Sequence, residues 1–549
     1  MNKFSHLLKF KSTIALFIYL FLIAYFQLHF SEVISHKYET ISICLNVFSI
    51  IILLHFIGKS NRIVTVILSI VFSILITLEA YYGFFFRSII SVGVVSSVME
   101  ANRAEAIFVV KEFAVKYLIL FCLSFLLIFQ SVKELKKLRV SVKWGAIFLA
   151  GYLFVAFPLY FRHRVKKEEL LSTLYKDTPA LAYQIALSQK CPLIYGQLSS
   201  IVAYYGERYQ LKRYPQQVRS LPEGIFVNDQ TCLPEKIFFV LGESACRKHL
   251  SVYGYDVRTT PFLDSLMQSS SEVLIYDGVS PANLTRNAVR LLLTFATPMD
   301  MQPYYSQKNI IELANDAGYQ TFWLSNQSNY GWHSNFATLL STLTYDTYFT
   351  GHEPESETIQ IDDLTLIPIL RERYRKDTKQ FFLIHLMGSH FDYTNRSDET
   401  DKKHIKGDDK ISRFDRSIHH TDRVLKEIYH IMNQNDTSSV FYYVSDHGQS
   451  FEHLGHGFLD SNVSQFEVPM VVIHQTGIHV DSIVNKYYQH DHAWINTLCS
   501  INIIAEIMGY SFTDEFIEHV REQGKYIYHV DSQVYKFEDL EQAKNENDR

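Results

Sequence analysis

Apolar stretches of membrane-spanning length recur in the first third of the chain and then stop, and nothing else in the sequence limits its fold as strongly. An α-helix needs roughly 20 residues to cross a hydrocarbon core of about 30 Å. Five stretches approach that length: Ser12 to Phe30, Ile41 to Ile57, Ile63 to Phe86, Ala114 to Phe129 with an extension to Val132, and Trp144 to Phe161. The first follows a short basic tail, as a signal peptide does. It is long, lacks a small-residue cleavage pattern and precedes further spans, so it is read as retained. The expectation is a transmembrane bundle of five helices over residues 1–164.

Short loops rich in Lys and Arg stay in the cytoplasm. Lys3, Lys9, Lys11, Lys59, Arg62, Lys133, Lys136, Lys137, Arg139 and Lys143 fall on one side of the spans, against Lys37, Arg87, Arg103, Lys111 and Lys116 on the other. With the amino terminus inside, an odd number of spans places everything after Phe161 outside. Arg162, Arg164, Lys166 and Lys167 run against the rule, but long downstream domains are exported largely regardless of such charge. They read as a solvated helix end or as a contact with anionic head groups. The net charge of -5 leaves no electrostatic footprint for nucleic acid. Cys44 and Cys122 lie in spans; Cys191, Cys232, Cys246 and Cys499 follow them, with a spacing that matches no zinc knuckle and specifies no disulfide.

Residues 165–234 mix apolar positions at helical spacing (Leu170, Leu171, Leu174, Tyr175) with aromatic pairs such as Tyr204-Tyr205, which suits interfacial or connecting helices against a membrane. From residue 235 to 549 the pattern is different. Ile237 to Leu241 is a continuous apolar run stopped by Gly242, as in a strand buried on both faces. Similar runs precede Ser325, Gly388 and Asp446. Helical patterns lie between them: Pro261 to Met267 capped by Thr260, Ile310 to Ala317 closed by Gly318, and Asp415 to Met432. Strands alternating with helices predict an α/β domain with a mainly parallel sheet.

In such sheets ligands bind beyond the carboxyl ends of the strands. The predicted strands end in Gly242-Glu243-Ser244, Ser389-His390 and Ser445-Asp446-His447-Gly448, and carboxylates with imidazoles at one edge suit a divalent metal such as zinc. A hydroxyl nucleophile needs a base or a metal to activate it. Thr285 fits, because it precedes the apolar stretch Ala288 to Phe295 and so sits near a helix amino terminus, where free amides favour alkoxide and phosphate charge. Ser244, beside Glu243, competes with it, and an ordinary first-turn threonine is the plainer reading of Thr285. His490-Asp491-His492 stands before the apolar helix pattern Ala493 to Met508 and reads as structural.

The segments Leu241-Gly242-Glu243-Ser244, Arg247, Leu250 to Tyr255 and Thr259-Thr260-Pro261 resemble the signature of bacterial phosphoethanolamine transferases, a branch of the alkaline phosphatase and sulfatase superfamily. The resemblance continues through Ser280-Pro281-Ala282-Asn283, Ser325-Asn326-Gln327, Met387-Gly388-Ser389-His390, the Asp415 to Asp422 helix and Ser445 to Gly448. It implies an inner-membrane, multi-pass enzyme with a sulfatase-like catalytic domain in the periplasm. Such an enzyme moves phosphoethanolamine from phosphatidylethanolamine to a lipopolysaccharide acceptor through a phosphothreonine held at zinc, and works as a monomer among membrane lipids. Carried over by position, Glu243, Thr285, Asp446 and His447 are the implied zinc ligands, with Thr285 also the nucleophile. His390 and His456 are the implied contacts to the transferred phosphate or a second zinc, His453 competes with His456, and Asn326 is implied in the substrate pocket. The chain departs from the family in having Gln449 where Glu is usual and Arg286 after Thr285. Ser280 to Asn283 and Leu293 to Pro298 look more like the enzymes that modify core sugars than those that modify lipid A. A phosphoglycerol transferase of the same superfamily, or an inactive envelope protein keeping the fold, are the alternatives.

Overall fold

The computed structural model describes residues 8–29, 39–86, 88–100, 103–138, 141–167, 171–172, 175, 179–188, 193–227, 233–270, 272–328, 336–351, 362–434, 438–451, 455–457, 462–475, 479–530 and 532–547. Lys3, Lys37, Arg87, Arg139, Leu170, Leu174, Cys191, Cys232 and His453, all used above, lie outside the described residues. Two compact units are present: Met1–Gln210 with Phe458–Ser461 and Val530–Gln533, and Leu211–Gly457 with Asn462–His529 and Val534–Arg549.

In the first unit each of the five expected spans coincides with a helix. Thr40–Lys59, Arg62–Phe86, Ala114–Leu135 and Val142–Val165 are long and apolar enough to cross a membrane, and Lys11–Gln27 is a shorter apolar helix. Their outward faces carry Ile63, Leu118 and Phe154, each more than 60% exposed, a surface that water would penalise and hydrocarbon accepts. Polar groups turn inward: Gln27 Nε2 donates to Glu79 Oε2 at 2.6 Å, with both side chains buried.

The second unit is built on an eight-stranded sheet. In chain order its strands are β1 (Lys236–Gly242), β2 (Val273–Val279), β3 (Gln320–Ser328), β4 (Asp346–Gly351), β5 (Gln380–His385), β6 (Ser439–Ser445), β7 (Glu467–Gln475) and β8 (Ile495–Asn496), arranged β4-β3-β5-β1-β6-β7-β2-β8. The five from β4 to β6 are mutually parallel, and β7 is antiparallel to both its neighbours. β1, β5 and β6 are buried along their whole length, which is why they read as unbroken apolar runs. One face packs Phe238, Val240, Phe382 and Tyr443 against the helix α3 (Lys410–Met432) through Val424, Leu425 and Ile428.

The structure corrects several local expectations. β2, β4, β7 and β8 were not expected: β2 is half-buried over most of its length, and β7 contains Pro469, a residue that weakens a strand signal. The helix α1 (Pro261–Ser269) forms as expected, but Thr260 makes no capping bond to it. Its Oγ1 is engaged with Ser251 and Asp264, and the first-turn N–H groups of Phe262 and Leu263 donate instead to Asp422, at 2.8 and 3.2 Å. The helix expected from Ala493 begins later, at Ser500, because Ile495 and Asn496 pair with β2.

The turn after β6 allows no side chain. A Cβ on Gly448 would lie 2.1 Å from the Ser464 carbonyl oxygen and 3.0 Å from that of Glu467, both backbone atoms. Gly448→Ala should therefore destabilise the second unit by about 2 to 3 kcal/mol, read as a melting temperature lower by roughly 5 °C.

Candidate active site

Four segments converge at the carboxyl edge of the parallel strands. β1 leads into Glu243, β6 into Asp446 and His447, β5 into the 386–390 loop, and the loop after β2 ends at Thr285, the first residue of the helix α2 (Thr285–Leu293). Thr285 Oγ1 lies 3.3 and 3.4 Å from the Glu243 carboxylate oxygens and 3.1 Å from His447 Nε2. His447 Nε2 is 3.5 Å from Glu243 Oε1 and 3.4 Å from Asp446 Oδ2. Four ligand atoms about 2.0–2.1 Å from a tetrahedral zinc stand roughly 3.3–3.4 Å from each other, and these separations bracket that value.

The protonation pattern also fits a cation. His447 Nδ1 faces the Gly448 carbonyl at 2.9 Å, so it carries the proton and Nε2 presents a lone pair. Asp446 Oδ1 accepts the Ser244 and His447 N–H groups at 2.9 and 2.7 Å, while its Oδ2 is buried with no hydrogen-bond partner. Burial, and next the charge of Asp446, push the Glu243 carboxyl above its usual range, opposed by His447 and His390. Two buried carboxylates this close need a counter-charge, which a divalent ion would supply.

Glu243 is braced from several directions. Ser244, at a left-handed φ of 58°, donates its hydroxyl to Glu243 Oε1 at 2.7 Å. Gln327 Nε2 donates to Glu243 Oε2 and to the Leu386 carbonyl, both at 3.2 Å. Ser389 N–H donates to the Glu243 carbonyl at 2.9 Å, and Gly388 presses so close that a Cβ there would sit 2.8 Å from that oxygen. Sequence reasoning missed Gln327, although it sits beside Asn326 in a quoted motif. Asn326 itself is buried in the scaffold: Nδ2 donates to Asp363 and Oδ1 accepts from Thr350, both at 2.8 Å. Asp363 in turn receives the Met387 and Gly388 N–H groups, so Asn326 helps hold the loop that carries His390.

His390 Nδ1 faces the Phe391 carbonyl at 2.7 Å, and His456 Nδ1 faces Gln449 Oε1 at 3.3 Å. Gln449 Nε2 donates to the Tyr393 hydroxyl at 2.6 Å. The His456 ring lies 4.1 Å from that of His447, and burial, then His447 and His390, hold its pKa well below the usual value. His492 pairs with Glu538 at 3.4 Å, and His490 to His492 join no metal-sized grouping among the described residues.

A second acidic grouping, Asp398, Asp401 and His420, also has metal-sized spacing. Arg423 Nη1 already occupies it, 2.8 Å from Asp398 Oδ1 and 3.0 Å from Asp401 Oδ1. His420 bridges Asp401 and Asp362 through its two ring nitrogens, at 2.8 and 2.9 Å. Burial pulls its pKa down, but hydrogen bonds to both carboxylates and their charges outweigh that and push it up to about 10.

The chain belongs to the sulfatase family, whose model matches residues 235–511. Among curated relatives it is 24% identical over 266 residues to phosphoethanolamine transferase EptC of Escherichia coli, covering 45% of this chain and 46% of that protein. The chain thus spans about half the length of the curated relatives it matches. The integral membrane lipooligosaccharide phosphoethanolamine transferase A of Neisseria meningitidis superposes with a TM-score of 0.58 at 16% identity, over 89% of this chain and 95% of that one. The C-terminal periplasmic domain of the Escherichia coli EptC, solved in complex with Zn, gives 0.50 at 20% identity over 59% and 97%. The fold is therefore the expected one: a membrane helix bundle followed by an alkaline phosphatase/sulfatase-like α/β domain.

Gln327→Ala should weaken zinc binding about tenfold or more, as loss of a group that orients a ligand does, in competition with a chromogenic chelator. His420 has a raised folded-state pKa, so its stabilisation is complete below its unfolded value of about 6.5 and is lost as pH rises through about 10. The melting-temperature gap between the native chain and His420→Ala should accordingly be widest at pH 6 and shrink towards pH 10.

Proposed function

We propose that this chain is a phosphoethanolamine transferase of the bacterial inner membrane, with its second unit in the periplasm and working as a monomer. It takes the head group from phosphatidylethanolamine and delivers it to a lipopolysaccharide sugar, more in the manner of core-modifying enzymes than of lipid A enzymes. The observation that carries the reading is the Thr285 hydroxyl, at hydrogen-bond range of Glu243 and His447 and at the start of a largely buried helix. That position supports nucleophilic work by Thr285 more than by Ser244, whose hydroxyl is directed to Glu243 Oε1.

Glu243, Asp446, His447 and Thr285 would hold zinc, which when bound lowers the pKa of the hydroxyl and offsets phosphoryl charge. In the first half-reaction Glu243 takes the Thr285 proton, Oγ1 bonds to phosphorus and the bond to the diacylglycerol oxygen breaks. First-turn amides of α2 face the phosphoryl oxygens, and the helix dipole favours their charge. The departing oxygen receives a proton from His390, while His456, held neutral by burial, contacts the phosphoryl group. His390 then accepts the proton of the sugar hydroxyl, which attacks phosphorus as Thr285 Oγ1 leaves and recovers its own proton. A membrane anchor suits a lipid donor and an acceptor in the same envelope.

Thr285→Ala should fold and bind zinc, yet give no phosphorylated protein on incubation with phosphatidylethanolamine and no modified lipopolysaccharide. Mass spectrometry of the protein and of separated core and lipid A fractions reads both. Full transfer by the variant would refute the nucleophile assignment.

A further inference from the structure

At the far end of α2 from Thr285 the chain turns through Thr294 to Thr297, inside the segment that resembles core-modifying enzymes. These residues wall a cavity of about 160 Å³. Phe295 and Phe516 lie on its lining, their rings 6.1 Å apart and nearly perpendicular. Thr297, Asp300, Gln307 and Asn502 supply polar groups. Asn502, on the helix α4 (Ser500–Ile507), is 2% exposed, and its Nδ2 is buried with no hydrogen-bond partner. Thr297 Oγ1 accepts the Asp300 N–H at 3.0 Å and keeps its own proton to donate.

We infer that this cavity is a subsite for one neutral sugar ring. The volume exceeds by far the roughly 10–15 Å³ that one water requires and falls short of the roughly 300–1,000 Å³ of sites that enclose larger ligands, and the polar lining of Thr297, Asp300, Gln307 and Asn502 disfavours an acyl chain. The Asp300 carboxylate opposes a phosphate or carboxylate ligand. Aromatic rings accept the C–H face of a sugar, and its hydroxyls, each donor and acceptor, match a carboxylate, a threonine hydroxyl and the side-chain amides of Gln307 and Asn502. Eight residues of α2 lie between Thr285 and Thr294 at the cavity wall, nine steps of 1.5 Å or about 13 Å. The ring held there is therefore not the one that receives the phosphoryl group but a neighbouring sugar of the same glycan. In this respect the inference rests on the proposed transfer to a lipopolysaccharide sugar.

The test uses the full chain in lipid nanodiscs free of sugar detergents, with D-mannose and D-glucose as probes and ethanolamine as comparator, read by saturation-transfer NMR. A sugar signal is expected that weakens about tenfold in affinity in Asn502→Leu and in the milder Gln307→Ala, and is unchanged in Thr285→Ala. In transfer assays Asn502→Leu should raise the KM for the glycan acceptor while the rate of Thr285 phosphorylation stays the same. No sugar signal, as when Asn502 is merely hydrated, would overturn the inference. So would a signal indifferent to both cavity variants, or a preference for ethanolamine. If the native chain transfers nothing, the proposed function fails, while the binding arm still decides whether the cavity takes a sugar.

Discussion

Two carboxylates buried side by side, Glu243 and Asp446, set the terms for the whole second unit. Neither is tolerable there as an isolated charge, and the surrounding atoms answer that problem in different ways. Asp446 is met by two backbone amides on one oxygen and left bare on the other. Glu243 is met by a serine hydroxyl and a glutamine amide. What remains unbalanced points into the space shared with Thr285. The strained serine, the glycine against the Glu243 backbone and the glycine after His447 all make sense as means of holding that imbalance in a fixed geometry.

The membrane segments were legible because their signal is long and nearly one-dimensional: about twenty apolar residues need no partner to be recognised. β1, β5 and β6 were legible for a related reason, since strands buried on both faces become unbroken apolar runs. β2 and β7 were not, because a half-buried strand and a strand containing proline lose that signature, and their pairing is decided by contacts hundreds of residues apart in sequence. The cap of α1 failed for the same reason. Local chemistry proposed Thr260, while a carboxylate on α3, far along the chain, does the work.

At the site, residue types at strand ends were enough to suggest a metal and a helix-start threonine, but not how each ligand is oriented. Most residues behind the family resemblance turn out to be scaffold. Arg247 ties the Gly278 carbonyl to Glu467, Tyr253 bonds to the Tyr276 carbonyl and the Met470 N–H, and Tyr255 joins His249 on Asp415. Gln327, which touches Glu243 directly, sits in one of these motifs without standing out.

The acidic grouping around Asp401 has a fixed internal counter-ion, the guanidinium of Arg423, supported by a histidine shared between two carboxylates. The grouping around Glu243 has none that is covalently attached. A divalent ion held by Glu243, Asp446, His447 and Thr285 would therefore be needed at one cluster and not at the other, and its removal would act on the edge around Thr285 while sparing the Asp401 grouping.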